Sequence, residues 1–164
     1  MLTQVSTKTL FLLRHAKAIT GGLLVLDQDR PLSDRGLKDS NKLGAKLHKK
    51  GVHLDLLVSS NAIRAITTAQ IIANKLDMKH TNFLIDPLVY GAELNALLEL
   101  ISHIAKRYDD VMIVGHNPSI TDLASHIAGE PIVMTTCSLM KASFDFKDWR
   151  KILTDRSSKF SFMN

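Results

Sequence analysis

The sequence predicts an α/β chain, a three-layer sandwich in which helices flank a mostly parallel central sheet. Short apolar runs alternate with longer segments of helical period, the pattern of βα units rather than of hairpins. The 164 residues, 45% hydrophobic and 23% charged, hold enough apolar material for one core and too little for two, so residues 1–164 are expected to form a single domain. No internal repeat, low-complexity linker or charge block interrupts the alternation.

Residues 8–14 (KTLFLLR) read as a first strand buried on both faces. A helix follows over 34–50, with Leu37, Leu43, Leu47, Gly44 and Ala45 near one stripe, Ser33 as its N-cap and Gly51 as its stop. LDLLV at 54–58 is a second strand, and 61–76 a helix that turns Ile63, Ile66, Ile72, Ala73 and Leu76 inward. A short strand at 83–86 precedes a helix over 92–106. Residues 110–115 (DVMIVG) are a third clear strand, and Pro118 opens a helix to 128. The alternation over 138–146 suits a strand, and 149–153 suits another. The core is expected over about 8–153. The polar tail 154–164 is expected to be poorly ordered, although Phe160 and Phe162 are able to dock.

Composition excludes several function classes. The longest apolar runs, such as Leu10 to Leu13, fall far short of the roughly 18 residues that a membrane span requires. Arg14 and His15 cut short the one candidate leader, so a cytoplasmic protein without membrane contact is expected. A lone Cys137 permits neither an internal disulfide nor a paired-thiol zinc site and reads as a core residue. The seven histidines include no His-x-x-x-His pair, so no metal is expected. The net charge of +5 favours anionic ligands, but the basic residues are dispersed and aromatics make up 5% of the chain. Nucleic acid is therefore not an expected partner.

In open α/β sheets, ligands bind beyond the carboxyl ends of the strands. Three predicted strand ends carry chemistry: Arg14-His15, Ser59-Ser60 followed by Arg64, and Gly115-His116-Asn117-Pro118. Arg64 falls in the first turn of its helix, where the dipole disfavours a cation by about 0.3–1 kcal/mol unless an anion is bound there. Two arginines, two histidines and helix N-termini at one sheet edge suit a group of charge about −2, such as a phosphoryl.

The residues around these strand ends resemble the histidine phosphatase superfamily, also called phosphoglycerate mutase-like, and within it the small SixA-type phosphohistidine phosphatases. The likeness lies in Leu12-Leu13-Arg14-His15-Ala16, in Arg30-Pro31-Leu32-Ser33-Asp34-Arg35-Gly36, and in the Ser-Ser-x-x-x-Arg-Ala-x-x-Thr-Ala run from Ser59 to Ala69. Val114-Gly115-His116-Asn117-Pro118 and an ending with Phe144-Asp145-Phe146 and Trp149 extend it over roughly residues 8–153. The resemblance implies that His15 is a nucleophile that becomes phosphorylated, that Arg14, Arg64 and His116 hold the phosphoryl oxygens, and that Asn117 and Ser59 belong to the same substrate site. It implies a metal-independent phosphatase needing no cofactor, acting on phosphohistidine in a phosphorelay or phosphotransferase protein and so in signal transduction, with a monomer as the expected state. Small phosphomonoesters, or a non-catalytic phosphate- or phosphohistidine-binding module, are the alternatives.

Chemistry supports these roles independently. A nucleophilic imidazole must be neutral, and nearby guanidinium groups disfavour its protonation. The same cations stabilise charge on the equatorial oxygens during in-line transfer.

The chain also departs from that family. Where the mutases carry Leu-x-Glu, with the glutamate as general acid, this sequence reads Leu88-Val89-Tyr90. Glu93 lies three residues on, so Tyr90 and Glu93 are the candidate acids. An asparagine that follows the first motif in the mutases is replaced by about Gly21. An alkoxide leaving group needs a positioned acid, whereas an imidazole already protonated on its other nitrogen departs neutral, which favours N–P over O–P substrates. Short connections leave little material for a lid, and an open site suits a protein side chain.

Rival phosphoryl chemistries fit less well. LLVLDQDRP at 23–31 imitates the strand-plus-Asp-x-Asp of magnesium-dependent dehalogenase-type phosphatases but lacks their downstream partners. Asp27 and Asp29 then read as loop carboxylates near the site entrance. A cysteine phosphatase needs arginine six residues after Cys137 and meets Ser143, and no P-loop occurs.

Overall fold

Leu10, Leu12 and Leu13 are fully buried, as side chains on both faces of a central strand must be. In the computed structural model, which describes residues 7–164, that strand, β1 (Lys8–Arg14), pairs in parallel with β4 (Asp110–Gly115) and antiparallel with β5 (Leu139–Phe144). β2 (Leu56–Ser59), β3 (Phe83–Ile85) and β6 (Lys159–Phe162) complete a six-stranded sheet in the order β3-β2-β4-β1-β5-β6. β3, β2, β4 and β1 are mutually parallel, so their carboxyl ends share one edge.

Helices cover both faces. Phe11, Leu13, Met112 and Val114 pack on one side against α1 (Asp34–Lys49) and α2 (Ile63–Lys75). Leu10, Leu12, Val111 and Ile113 pack on the other against α3 (Leu94–Ser102), α4 (Ser119–Ala128) and Trp149. The expected three-layer α/β architecture is what forms. Among the described residues no helix is long and apolar enough to cross a membrane.

Several local expectations are corrected. Ile63 is exposed, as are Leu37 and Ala45 on α1. The buried stripe of α2 keeps the expected Ile72 and Ala73 and otherwise runs through Arg64, Ala65, Thr68 and Ala69, where the alanines and the threonine let the helix approach the sheet. α3 stops at Ser102 rather than at 106, because Ser102 Oγ and His103 Nδ1 both bond Glu99 O and compete with the next helical turn. Residues 149–153 form a 3-10 turn instead of a strand: the Asp148 side chain accepts from Arg150 N at its start, and Trp149 is buried with Nε1–H donating to Tyr108 O at 2.8 Å. The tail, expected to lack order, forms β6 on β5. There Phe160 packs on the core, and Asn164 bonds Leu139 N and Cys137 O.

Candidate active site

Sheet register places the three motif loops at one level. Arg14 lies opposite Gly115 and Ser59 opposite Val114, so His15, Ser60 and His116 leave adjacent strands side by side. The backbone continues the pairing one step past the strands, with His15 N–H donating to Gly115 O and Ser60 N–H to Val114 O, each at 3.1 Å. Cys137, buried and at φ +61°, turns its N–H onto the carbonyls of Arg14 and His15 from the other side.

The segment after His15 is held by the residues of the second motif. Ser33 caps α1 by accepting from Gly36 N, and its own N–H and hydroxyl both donate to Lys17 O. Gly36 is required by close approach: a Cβ there would lie 2.1 Å from Lys17 O. Ala18 bridges Leu32, and Ile19 N–H donates to Pro31 O. The loop then reaches outward through Leu23, Leu24 and Leu26, all exposed, before a short 3-10 turn (Asp27–Asp29) returns to the site.

His15 is buried, and its partners set its tautomer. Nδ1 faces the carbonyl of Ala16 at 2.7 Å and must donate to it, which leaves the Nε2 lone pair to accept Arg64 Nε–H at 3.3 Å. Ala16 is itself fixed, because its N–H donates to Thr68 Oγ1 at 3.1 Å while that hydroxyl donates to Arg64 O. Burial, then Arg64, Arg14 and Arg30, push the His15 pKa down to about 4, against the opposing pull of the Ala16 carbonyl. The ring is neutral at physiological pH, with Nε2 unprotonated.

His116 packs 4.9 Å from the His15 ring, centroid to centroid, and its Nε2 bonds Ser60 Oγ at 2.7 Å. Burial, then His15 and Arg64, lower its pKa to about 3. Ser60 Oγ already accepts Ala62 N–H at 3.1 Å, which leaves its own proton for His116 Nε2 and the ring proton for Nδ1, a buried atom with no hydrogen-bond partner among the described residues. Arg14 donates from Nη1 to Met134 O at 3.0 Å, and its buried Nε likewise has no partner among the described residues. The Asn117 amide donates to the same Met134 carbonyl and accepts from Thr121, so Asn117 braces the Arg14 anchor.

Arg64 is buried and faces His15 on one side and Asp27 on the other. Its Nη1 donates to Asp27 O at 2.6 Å and Nη2 to Asp27 Oδ2 at 2.9 Å. Tyr90 donates its hydroxyl to the same Oδ2 at 2.8 Å, and Arg30 binds Oδ1. The Tyr90 hydrogen bond, together with Arg64, holds the Asp27 pKa at about 2, and Asp27 raises that of Tyr90. Tyr90 also sets its ring edge-on to His116 at 5.4 Å.

Of the residues singled out from sequence, Arg14, His15, Arg64 and His116 converge here. Asn117 lines the cleft, as do Tyr90 and Glu93, with Tyr90 engaged by Asp27 and Glu93 exposed on the outer wall. Ser59 stands apart: its hydroxyl is buried and donates to Ser60 O, so Ser60 is the serine that reaches His116. Sequence reading missed Ser60, Thr68 and the Asp27 clamp. The Ser-Ser pair does not say which hydroxyl turns inward, and Asp27 sits in a string read as entrance loop. Among the described residues no group of three or more His, Cys, Asp or Glu side chains is placed to hold a metal ion.

These strand-end histidines and arginines gather hydrogen-bond donors and positive charge at one edge of the sheet. A family model, the histidine phosphatase superfamily (branch 1), matches residues 10–86, spanning the His15 and Arg64 motifs. Over those residues the chain is similar to the histidine phosphatase superfamily. An uncharacterised chloroplast protein of Arabidopsis thaliana is 30% identical over 140 residues, covering 80% of this chain and 64% of that one. The mitochondrial serine/threonine-protein phosphatase Pgam5 of Drosophila mojavensis is 35% identical over 72 residues, 44% of this chain and 24% of its own. The chain thus spans less than two thirds of these relatives. SixA from Agrobacterium tumefaciens superposes with a TM-score of 0.77 at 25% identity, covering 94% of this chain and 97% of that one.

Proposed function

We propose that the chain is a phosphohistidine phosphatase that hydrolyses the phosphorylated histidine of a protein through a transient phosphohistidine at His15, without a metal ion. The observation that carries this reading is the neutral His15 ring, its Nδ1 proton on Ala16 O and its Nε2 lone pair beside Arg64. The Nε2 lone pair attacks phosphorus and the substrate N–P bond breaks. The leaving ring, protonated on its other nitrogen, departs as neutral imidazole. Water then attacks the phosphorus on His15, releasing phosphate and restoring the ring. Arg14, Arg64 and the Nδ1–H of His116 stabilise the phosphoryl oxygens in both steps. Tyr90, where mutases carry the acid, is bonded to an aspartate held ionised and acts in the clamp on Arg64 rather than as a proton donor. The likeness to the Agrobacterium tumefaciens protein described as a putative phosphohistidine phosphatase, SixA, supports the substrate class. The reading places the activity in the cytoplasm, in a phosphorelay or phosphotransferase context.

A second reading, hydrolysis of O-phosphomonoesters, draws on Glu93 in the cleft wall and on the partial match to Pgam5. The test is phosphate release, in excess chelator, from a phosphohistidine protein and from an alkyl phosphomonoester, comparing wild type with His15→Ala. Chelator-resistant turnover of phosphohistidine that is lost in the variant is the expected result. Preference for the ester moves the substrate to O-phosphates, and no turnover of either leaves a binding module.

A further inference from the structure

The cleft beside His116, about 430 Å³, has two ends of opposite character. Its inner end holds Arg64, with Arg14 and His15 behind it. Its outer wall, formed by the turn before α3 and the first turn of α4, carries the carboxylates of Glu93 and Asp122. Both are exposed. Among the described residues neither side chain makes a hydrogen bond or ion pair, and Glu93, although at the N-cap of α3, does not cap it. The dipoles of α3 and α4 account for tolerating an acid at each position, but not for directing both onto one cleft. Asp27, the third carboxylate of the lining, is already satisfied by Arg64, Arg30 and Tyr90. A further observation points to a ligand spanning the two ends: His116, 7% exposed, lines the same cleft and, among the described residues, leaves Nδ1 without a partner, so a phosphoryl group held there directs its leaving group toward the outer wall.

We propose that Glu93 and Asp122 form a leaving-group subsite that accepts a cationic, N–H-donating group, the imidazolium ring of a phosphohistidine, and repels leaving groups that carry a negative charge. This rests on the phosphatase reading and names what selects its substrate. A carboxylate near the substrate ring favours the protonated ring and accepts its N–H. When His15 Nε2 forms its bond to phosphorus and the substrate N–P bond breaks, the electron pair returns to a ring that is already protonated, and neutral imidazole leaves. Neither Glu93 nor Asp122 transfers a proton in this step. An anionic leaving group such as glycerate meets like charge instead.

The experiment compares kcat/KM for a phosphohistidine peptide, glycerol 3-phosphate and 3-phosphoglycerate in wild type and in Glu93→Gln/Asp122→Asn, with the fold of each checked by thermal melting. The double variant is expected to lose about tenfold on phosphohistidine and to gain on 3-phosphoglycerate relative to glycerol 3-phosphate. High salt is expected to narrow the same ratios in wild type. Glu93→Lys serves as a second variant and is expected to push both changes further. Equal changes on all three substrates overturn the subsite, as does His15-dependent turnover of phosphohistidine with unaltered ratios. Turnover that survives His15→Ala overturns the phosphatase reading through His15, and wild-type turnover of the esters alone overturns the phosphohistidine reading on which the subsite rests.

Discussion

Arg64 and His15 meet through single atoms: Arg64 Nε–H donates to His15 Nε2 at 3.3 Å, on the ring edge opposite the one that donates to Ala16 O. One neutral tautomer satisfies both neighbours, and it is the one whose lone pair faces the cations. A second proton on the ring would face the Arg64 N–H directly.

Imidazole nitrogen spectra are therefore expected to show His15 Nδ1 protonated and Nε2 bare from pH 8 down to about 5, with a midpoint near 4. Burial and then the arginines set that midpoint. Titration near 6.5 would refute the buried, cation-flanked ring.

Stability is expected to depend on pH over a window that follows from the same shifts. The folded chain holds His15 and His116 at about 4 and about 3, against about 6.5 unfolded. Between these values the unfolded chain binds more protons, so stability is complete above pH 6.5 and falls as pH drops. Asp27, lowered to about 2, adds a separate loss below about pH 4. Urea midpoints from pH 7 to 4 should decline, and His15→Asn/His116→Asn should flatten the slope even if it lowers the plateau.

Thr68 is a positioning residue, since its hydroxyl accepts Ala16 N–H and the Ala16 carbonyl selects the His15 tautomer. Thr68→Val keeps the shape and leaves a buried N–H unpaired, at a cost of about 1–3 kcal/mol. We expect kcat to fall about tenfold with KM little changed, each tenfold being about 1.4 kcal/mol, and the Nδ1 resonance to move. Thr68→Ser should restore both, and failure of that rescue would leave Thr68 a packing residue only.

The close approach at the start of α1 gives a local prediction. Gly36→Ala places a methyl group against Lys17 O and must displace either the helix or the segment after His15. A loss of about 1–3 kcal/mol is expected in denaturant unfolding, accompanied by reduced turnover. Unchanged unfolding would mean the loop shifts freely and does not position His15.

Asp27→Asn removes a negative charge that competes with phosphate for Arg64. Inorganic phosphate should then inhibit about tenfold more tightly. Weaker phosphate binding would mean that Asp27 serves chiefly to hold the guanidinium in place.

The strands around the site were legible because each has a distinct sequence cause. β1 and β4 are continuous apolar runs, and the residues after them are too polar to continue a buried strand. Ser33 and Gly51 mark the limits of α1 by capping chemistry that acts within a few residues. Legibility fails where long-range contacts decide. Ile63 belongs inside by periodicity, yet the inward place goes to Arg64, which finds Asp27, 37 residues away in sequence. Trp149 alternates like a strand residue, but Tyr108 O and the Phe146 ring fix it in a 3-10 turn. In the site, the charged residues were legible by type. The choice of Ser60 over Ser59 and the clamp of Asp27 on Arg64 depend on which way side chains turn, and no local pattern records that.

Residues 20–26 leave the body of the molecule at one fastening, Ile19 on Pro31 with Ala18 on Leu32, and return at another, Asp27 on Arg64. A loop closed at both ends lengthens cheaply, by about 0.6 kcal/mol for each doubling. This is accordingly the place to splice in foreign chain without disturbing the sheet. A spin label or fluorescent peptide inserted after Leu24 would ride on an exposed loop, and its tumbling would report how firmly the Asp27–Arg64 fastening holds.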